Sequence, residues 1–291
     1  MRHSAASGGF TIVEVLIVLA VSAVIFFFAI QAVGGQQAHV EFTAAVNNVN
    51  SKFQQWINDV SNGFTASSAT SLPANLVCDT NNPKVPGHPE LINAGSGNER
   101  GANPQCIFLG KAIQVNTVNA AGGQNSQLIY AYSILGRRVD QASGELVDNL
   151  TDAFPTPAMF SLAGGQGDLT ETYTIPNGAR VLWAKSGTDL SGNSQLAGFY
   201  TSFNSGNGGN GSQSLNTYQY NFTGNAPGDV PDGSIAQCIE MVTPSCQNPT
   251  PLQQWVICLE STRNSDTSAI YINSTNGQGA TTKVVSPCPG S

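Results

Sequence analysis

The chain opens with an almost unbroken apolar run and then changes period twice. From Phe10 to Val33 nearly every side chain is apolar: FTIVEVLIVLAVSAVIFFFAIQAV. A helix of about 20 apolar residues spans the roughly 30 Å hydrocarbon core of a bilayer, so this segment predicts a transmembrane helix. It is too long for the apolar part of a cleaved secretory signal, and no A-x-A-like site follows it. From Gln36 to Asn62 polar residues take over, leaving a stripe of Phe42, Val46, Val49, Phe53, Ile57 and Val60. Steps of three and four predict one face of a helix that needs a sheet to lie on, with Ala45 and Trp56 widening that face. Gly63 suits its C-cap. One helix is therefore expected from Phe10 to about Asn62, weakened at most by Gly34-Gly35.

After the helix the periodicity fades. Residues 64–126 hold Pro73, Pro83, Pro86, Pro89 and Pro104 among many Asn, Gly and Ser, and read as mostly loop except near Ile107–Val118. From Gln127 the pattern is β. Candidate strands are Leu128–Leu135, Thr172–Ile175, Arg180–Lys185, Leu196–Phe203 and Leu215–Phe222. Further on they are Ile235–Val242, Gln254–Glu260, Ala269–Asn273 and Thr281–Ser286. Gly, Asn, Pro and Asp clusters separate them. Pro176-Asn177-Gly178 reads as a turn and Ser274–Gly279 as a hairpin loop. The expected fold class is α+β: a long N-terminal helix, half transmembrane and half amphipathic, packed on an antiparallel β-sheet with one face covered and one solvated. The Gly-rich stretch 205–212 leaves open whether residues 64–291 form one elaborated sheet or two subdomains.

One residue interrupts the apolar run. Glu14 lies inside the hydrocarbon zone, where a carboxylate costs about 2.5–3.5 kcal/mol unless it is paired. No Lys or Arg stands at helical spacing to neutralise it.

Gly9-Phe10-Thr11-Ile12-Val13-Glu14 followed by a long apolar helix resembles the class III signal of type IV pilins and type II secretion pseudopilins. The resemblance implies a leader, residues 1–9, removed by a prepilin peptidase between Gly9 and Phe10, and N-methylation of Phe10. It implies that Glu14 is the assembly glutamate, paired with the N-terminal amine of a neighbouring subunit. Cleavage would create the missing cation at the end of the same apolar helix, and the two groups attract strongly in a low dielectric. The chain departs from many pilins in having no Pro in residues 10–35. The organisation implied is a leader at 1–9, a transmembrane and assembly helix at 10–35, its amphipathic half at 36–63 and an exported β-rich globular domain at 64–291. A single-pass membrane protein would enter an extracellular filament or the cell surface, with its globular part outside the cytoplasm. Its partners would be the prepilin peptidase, other pilin subunits, the membrane before assembly, and a pilus or secretion assembly platform. The size and loop content of the globular part favour a minor pilin or pseudopilin; motility, adhesion, DNA uptake and protein secretion are all compatible. The alternative is a membrane-anchored surface binding or adhesion protein that does not polymerise, which leaves Glu14 without a purpose.

All six cysteines, Cys78, Cys106, Cys238, Cys246, Cys258 and Cys288, follow the apolar run. An even count confined to that portion fits disulfides formed in an oxidising compartment. Cys78 and Cys106, isolated from the rest, are expected to pair, and the other four to form two bridges among themselves. Their spacings lack the C-x2-C pattern of a zinc site, so no metal is expected. Eleven basic against eighteen acidic residues give a net charge of −7, which does not indicate nucleic-acid binding. No nucleophile elbow, zinc-protease helix, Walker loop or dinucleotide fingerprint is present, so neither an enzyme nor a cofactor is expected. His39 and His88 read as surface residues. Asp229 and Asp232 read as a solvated turn with calcium left open, and Arg137-Arg138 as turn decoration.

Overall fold

The structure is a computed structural model. It describes residues 11–62, 76–79, 88–93, 107–118, 126–137, 139–140, 143–162, 165–188, 190, 192–201, 215–222, 233–242, 246, 249–275 and 279–290. For residues 29–35, 76–79, 90–93, 159–162, 165–168, 233–234 and 275 only the backbone is described.

Helix α1 spans Ile12–Ser61. Strands β1 (Leu76–Asp79), β2 (Glu90–Asn93), β3 (Ile107–Val115) and β4 (Leu128–Gly136) follow. Next come β5 (Thr156–Pro157), β6 (Met159–Leu162), β7 (Gly165–Asp168), β8 (Thr170–Thr174) and β9 (Ala179–Ser186). Then come β10 (Gly192–Asn193), β11 (Leu196–Thr201), β12 (Leu215–Tyr220) and helix α2 (Gly233–Ile239). Strands β13 (Thr250–Pro251), β14 (Gln254–Ser261), β15 (Thr267–Thr275) and β16 (Gly279–Val285) complete the chain.

The strands form three sheets. A seven-stranded sheet runs β13-β12-β11-β3-β4-β5, with β8 also paired to β4. A five-stranded sheet runs β10-β9-β14-β15-β16, and a small one runs β1-β2-β6-β7. The two larger sheets are stitched together by backbone hydrogen bonds: Val118 donates to Val181 at 3.1 Å and Val181 to Ser126 at 2.8 Å. One apolar core lies under α1 and draws on both sheets. Phe42, Val46, Val49, Phe53, Trp56, Ile57 and Val60 of the helix meet Ile113, Ile129, Phe199, Trp255, Ile257 and Ile270. A seam of edge-on aromatic rings runs through it, with Phe53 at 5.8 Å from Trp56 and 6.0 Å from Trp255, and Trp56 at 6.4 Å from Tyr173.

The α+β expectation, with its transmembrane half, is corrected. Strand outweighs helix among the described residues, in a mostly antiparallel β protein. No helix among the described residues is long and apolar enough to cross a membrane. The single-pass membrane placement, with the globular part outside the cytoplasm and then in an extracellular filament or at the cell surface, is corrected with it.

The layering also differs from expectation. The seven-stranded sheet is buried on both faces, because a second core sits opposite α1. There Leu109, Tyr130, Tyr132, Tyr200 and Tyr220 pack with Ile235 and Ile239. Strand β3 lies at the centre of this sheet and falls in the Ile107–Val118 segment that the sequence sets apart from the loop around it. Its residues from Leu109 to Val115 are all buried, so it shows a continuous pattern and no alternation. The candidate strand Ile235–Val242 is helical over its first part. Ile235 and Ile239 fall one turn apart and enter the second core together, and the Cys238–Cys246 bridge ties the segment down. The stretch 205–212 lies outside the described residues. The strands on either side of it, β11 and β12, pair directly from Thr201–Leu215 to Leu196–Tyr220.

Candidate functional site: the projecting helix and its polar mooring

Every described residue of α1 from Ile12 to Phe28 is exposed, and because the residues are consecutive the exposure covers all sides of the helix. Ile12 is 81% exposed, Phe26 67% and Phe28 66%. Burial begins at Phe42, where the stripe meets the sheets. The helix therefore has two unlike halves: one seated in the globular body, the other an apolar rod with no cover among the described residues. An apolar surface this continuous marks a place of association.

At the tip Thr11 is the N-cap and its hydroxyl accepts the Glu14 amide at 3.3 Å. Thr11-Ile12-Val13-Glu14 thus has the T-x-x-E arrangement of a capping box, with the carboxylate in the first turn near the positive end of the helix dipole. This local role for Glu14 was readable from its spacing to Thr11 and is missing from the sequence reading. Gly9 and Phe10 lie outside the described residues. The helical backbone continues through residues 34 and 35.

The seated half is held along two flanks. On one, His39 Nδ1 contacts Asp266 at 2.8 Å, Arg263 pairs with Glu41, and Gln54 donates to Thr282 at 2.8 Å. Asn177, in the turn between β8 and β9, reaches the Glu41 carbonyl at 3.4 Å. On the other flank a charged cluster lies inside the protein. Lys111 of β3 has a side chain 0% exposed, and its ammonium pairs with Glu171 of β8 and, at 3.2 Å, with Asp59 of α1. Glu171 also accepts from Trp56 Nε1 at 2.9 Å and Lys52 at 3.1 Å. Burial alone pushes the Glu171 carboxyl up, but hydrogen bonds from Lys111 and Trp56 and the charges of Lys111 and Lys52 outweigh it and hold it below the usual range.

The sheet makes room for this cluster by the register. Strand β4 separates β3 from β8, with Ser133 opposite Lys111 and Ala131 opposite Glu171. Residues directly opposite share a face, so two small side chains sit between the long ones and let them meet across the strand.

The remaining sequence candidates separate cleanly. His88 is buried, not a surface residue: its ring stands edge-on to Phe154 at 5.0 Å and its Nδ1 is 3.0 Å from Thr156 Oγ1. Burial lowers its pKa to about 4, with the Pro155 carbonyl opposing and the charge of Arg137 assisting. His39 is exposed. Arg137 lies over Phe154 at 3.9 Å, donates to the Asp152 carbonyl and pairs with Asp140, so it braces a loop. Asp229, Asp232, Arg138 and Cys106 lie outside the described residues, as does the Cys78 side chain, and with them the expected Cys78–Cys106 bridge. The other four cysteines pair among themselves, Cys238 with Cys246 and Cys258 with Cys288. Comparison of the chain with protein-family models, curated proteins and solved structures finds no match.

Proposed function

We propose that this chain is a structural subunit, a minor pilin or pseudopilin, of a type IV pilus-like filament. A prepilin peptidase removes residues 1–9, Phe10 becomes the methylated N-terminus, and the apolar half of α1 packs against the same segment of neighbouring subunits. Glu14 receives a neighbour's N-terminal amine. An assembly platform of the pilus or secretion type supplies the subunits. The observation that carries this reading is the exposure of apolar side chains on all sides of α1 from Ile12 to Phe28 beside a body with its own complete core. Such a rod gains most by joining a bundle of identical rods, each covering the others. The Gly9-Phe10 junction and the lone acidic residue five places into the mature chain supply the processing site and the register.

The test separates the two roles open to Glu14. Glu14→Gln keeps a side chain able to complete the capping box and removes the charge. In the native host we expect Glu14→Gln to be processed at wild-type level but depleted at least tenfold from sheared filaments. Incorporation equal to wild type would leave Glu14 a cap and defeat the assembly role.

A further inference from the structure

We propose that Lys111 and Glu171 condense spontaneously to an isopeptide bond, with Asp59 as the proton carrier and Trp56 and Lys52 holding the carbonyl oxygen. The proposal rests on the buried cluster alone and stands or falls independently of the filament reading. It begins from an amine with no access to water and a carboxylate 10% exposed, directly paired across the small residues of β4. Two further features turn a pair into a site. A second carboxylate, Asp59, lies 3.2 Å from the same nitrogen and can take a proton from it. The far oxygen of Glu171 carries two donors, the Trp56 indole at 2.9 Å and the Lys52 ammonium at 3.1 Å, placed where negative charge develops when nitrogen attacks the carboxyl carbon.

The step balances without any co-reactant. The Lys111 ammonium passes one proton to the near oxygen of Glu171. The freed amine forms a bond to the Glu171 carboxyl carbon, charge gathers on Oε2 between Trp56 and Lys52, and the bonded nitrogen gives a second proton to Asp59. Asp59 returns its proton to Oε1, which leaves as water. Of the three ammonium protons, two depart with the water and one stays on the amide nitrogen, while Oε2 remains as the amide oxygen. Holding the partners together replaces a bimolecular reaction, an advantage that reaches about 10⁵ M or more in effective concentration.

The site also gains electrostatically. Before reaction two cations and two anions share one cluster, with Lys111 and Glu171 its most buried members, and buried ion pairs recover their desolvation cost poorly. Afterwards the two most buried charges are gone. Lys52 and Asp59 remain, with side chains 21% and 20% exposed, where water reaches both. Ser133, opposite Lys111 on the same face, has a buried hydroxyl with no hydrogen-bond partner among the described residues and offers an acceptor for the new amide N–H.

The experiment is intact-mass analysis of the folded, disulfide-reduced full chain, with peptide mapping of the same sample. We expect a mass lower by one water, the Lys111 and Glu171 peptides recovered as one branched species, and neither free. Lys111→Arg keeps the cation and should show the full mass; Asp59→Asn should slow condensation at least tenfold in freshly folded protein. A wild-type chain at full mass with both peptides free after prolonged incubation overturns the proposal. A branch at Asp59 overturns the choice of acceptor, and wild-type kinetics in Asp59→Asn overturn its role as carrier.

Discussion

Lys111 is the residue on which the seating of the helix turns. Before any bond forms between them, an ammonium with no exposure is tolerated only because Glu171 and Asp59 meet it. Lys111→Met leaves both carboxyl groups facing an apolar side chain, and we expect a loss of about 3–5 kcal/mol in urea unfolding. Trp56→Phe keeps most of the ring and removes only the N–H that Glu171 accepts, so the expected loss is smaller, about 1–3 kcal/mol. His88 supplies a pH signature. Its folded pKa of about 4 lies below the ordinary 6.5, so between those values the unfolded chain binds the proton and the folded chain does not. Stability therefore rises with pH through that window: the His88 contribution is complete above about 6.5 and lost as pH falls towards 4. Unfolding midpoints measured across the window should show this slope in the wild type and lack it in His88→Gln. An identical slope in both would assign it to other groups.

At the scale of elements, the chain is fastened by packing in one place and by covalent bonds in another. The helix stripe does the first: Phe53 is fully buried between Trp56 and Trp255, and Phe53→Ala should cost about 3–5 kcal/mol. The disulfides do the second. Cys238–Cys246 closes a separation of 8 residues and Cys258–Cys288 one of 30, so chain entropy ranks them at about 2.5 and 3.6 kcal/mol. Paired Cys→Ser variants compared in urea should keep that order. What the sequence made legible follows the same division. The stripe from Phe42 to Val60 is readable because a helix against a sheet imposes its period on every position. Strands such as β9, β14 and β15 are readable because turn residues bound them. Strand β3 shows in the sequence only as a periodic segment near Ile107–Val118, since continuous burial erases alternation, and helix α2 reads there as a strand because a short apolar run fits either state. The Lys111 cluster was invisible for a different reason. Its partners lie 52 and 60 positions away on two other elements, and only the register of three strands and the rotation of α1 bring them together.

The described residues combine a body with a buried core and an apolar rod that none of them covers. Removing residues 1–35 deletes the rod and leaves the buried stripe in place, so we expect that shortened chain to fold with the same disulfides and to sediment as a monomer. The full chain should self-associate under the same conditions. Equal association of both forms would move the contact to the body. The distinction between a subunit that polymerises and a body that merely carries an apolar tail turns on how the rod begins. The most direct measurement is N-terminal sequencing with mass analysis of the chain recovered from its native host. We expect it to start at N-methylated Phe10, which places a cation on the same helix end as Glu14. A chain that starts at Met1, with residues 1–9 retained, would contradict assembly through that pair.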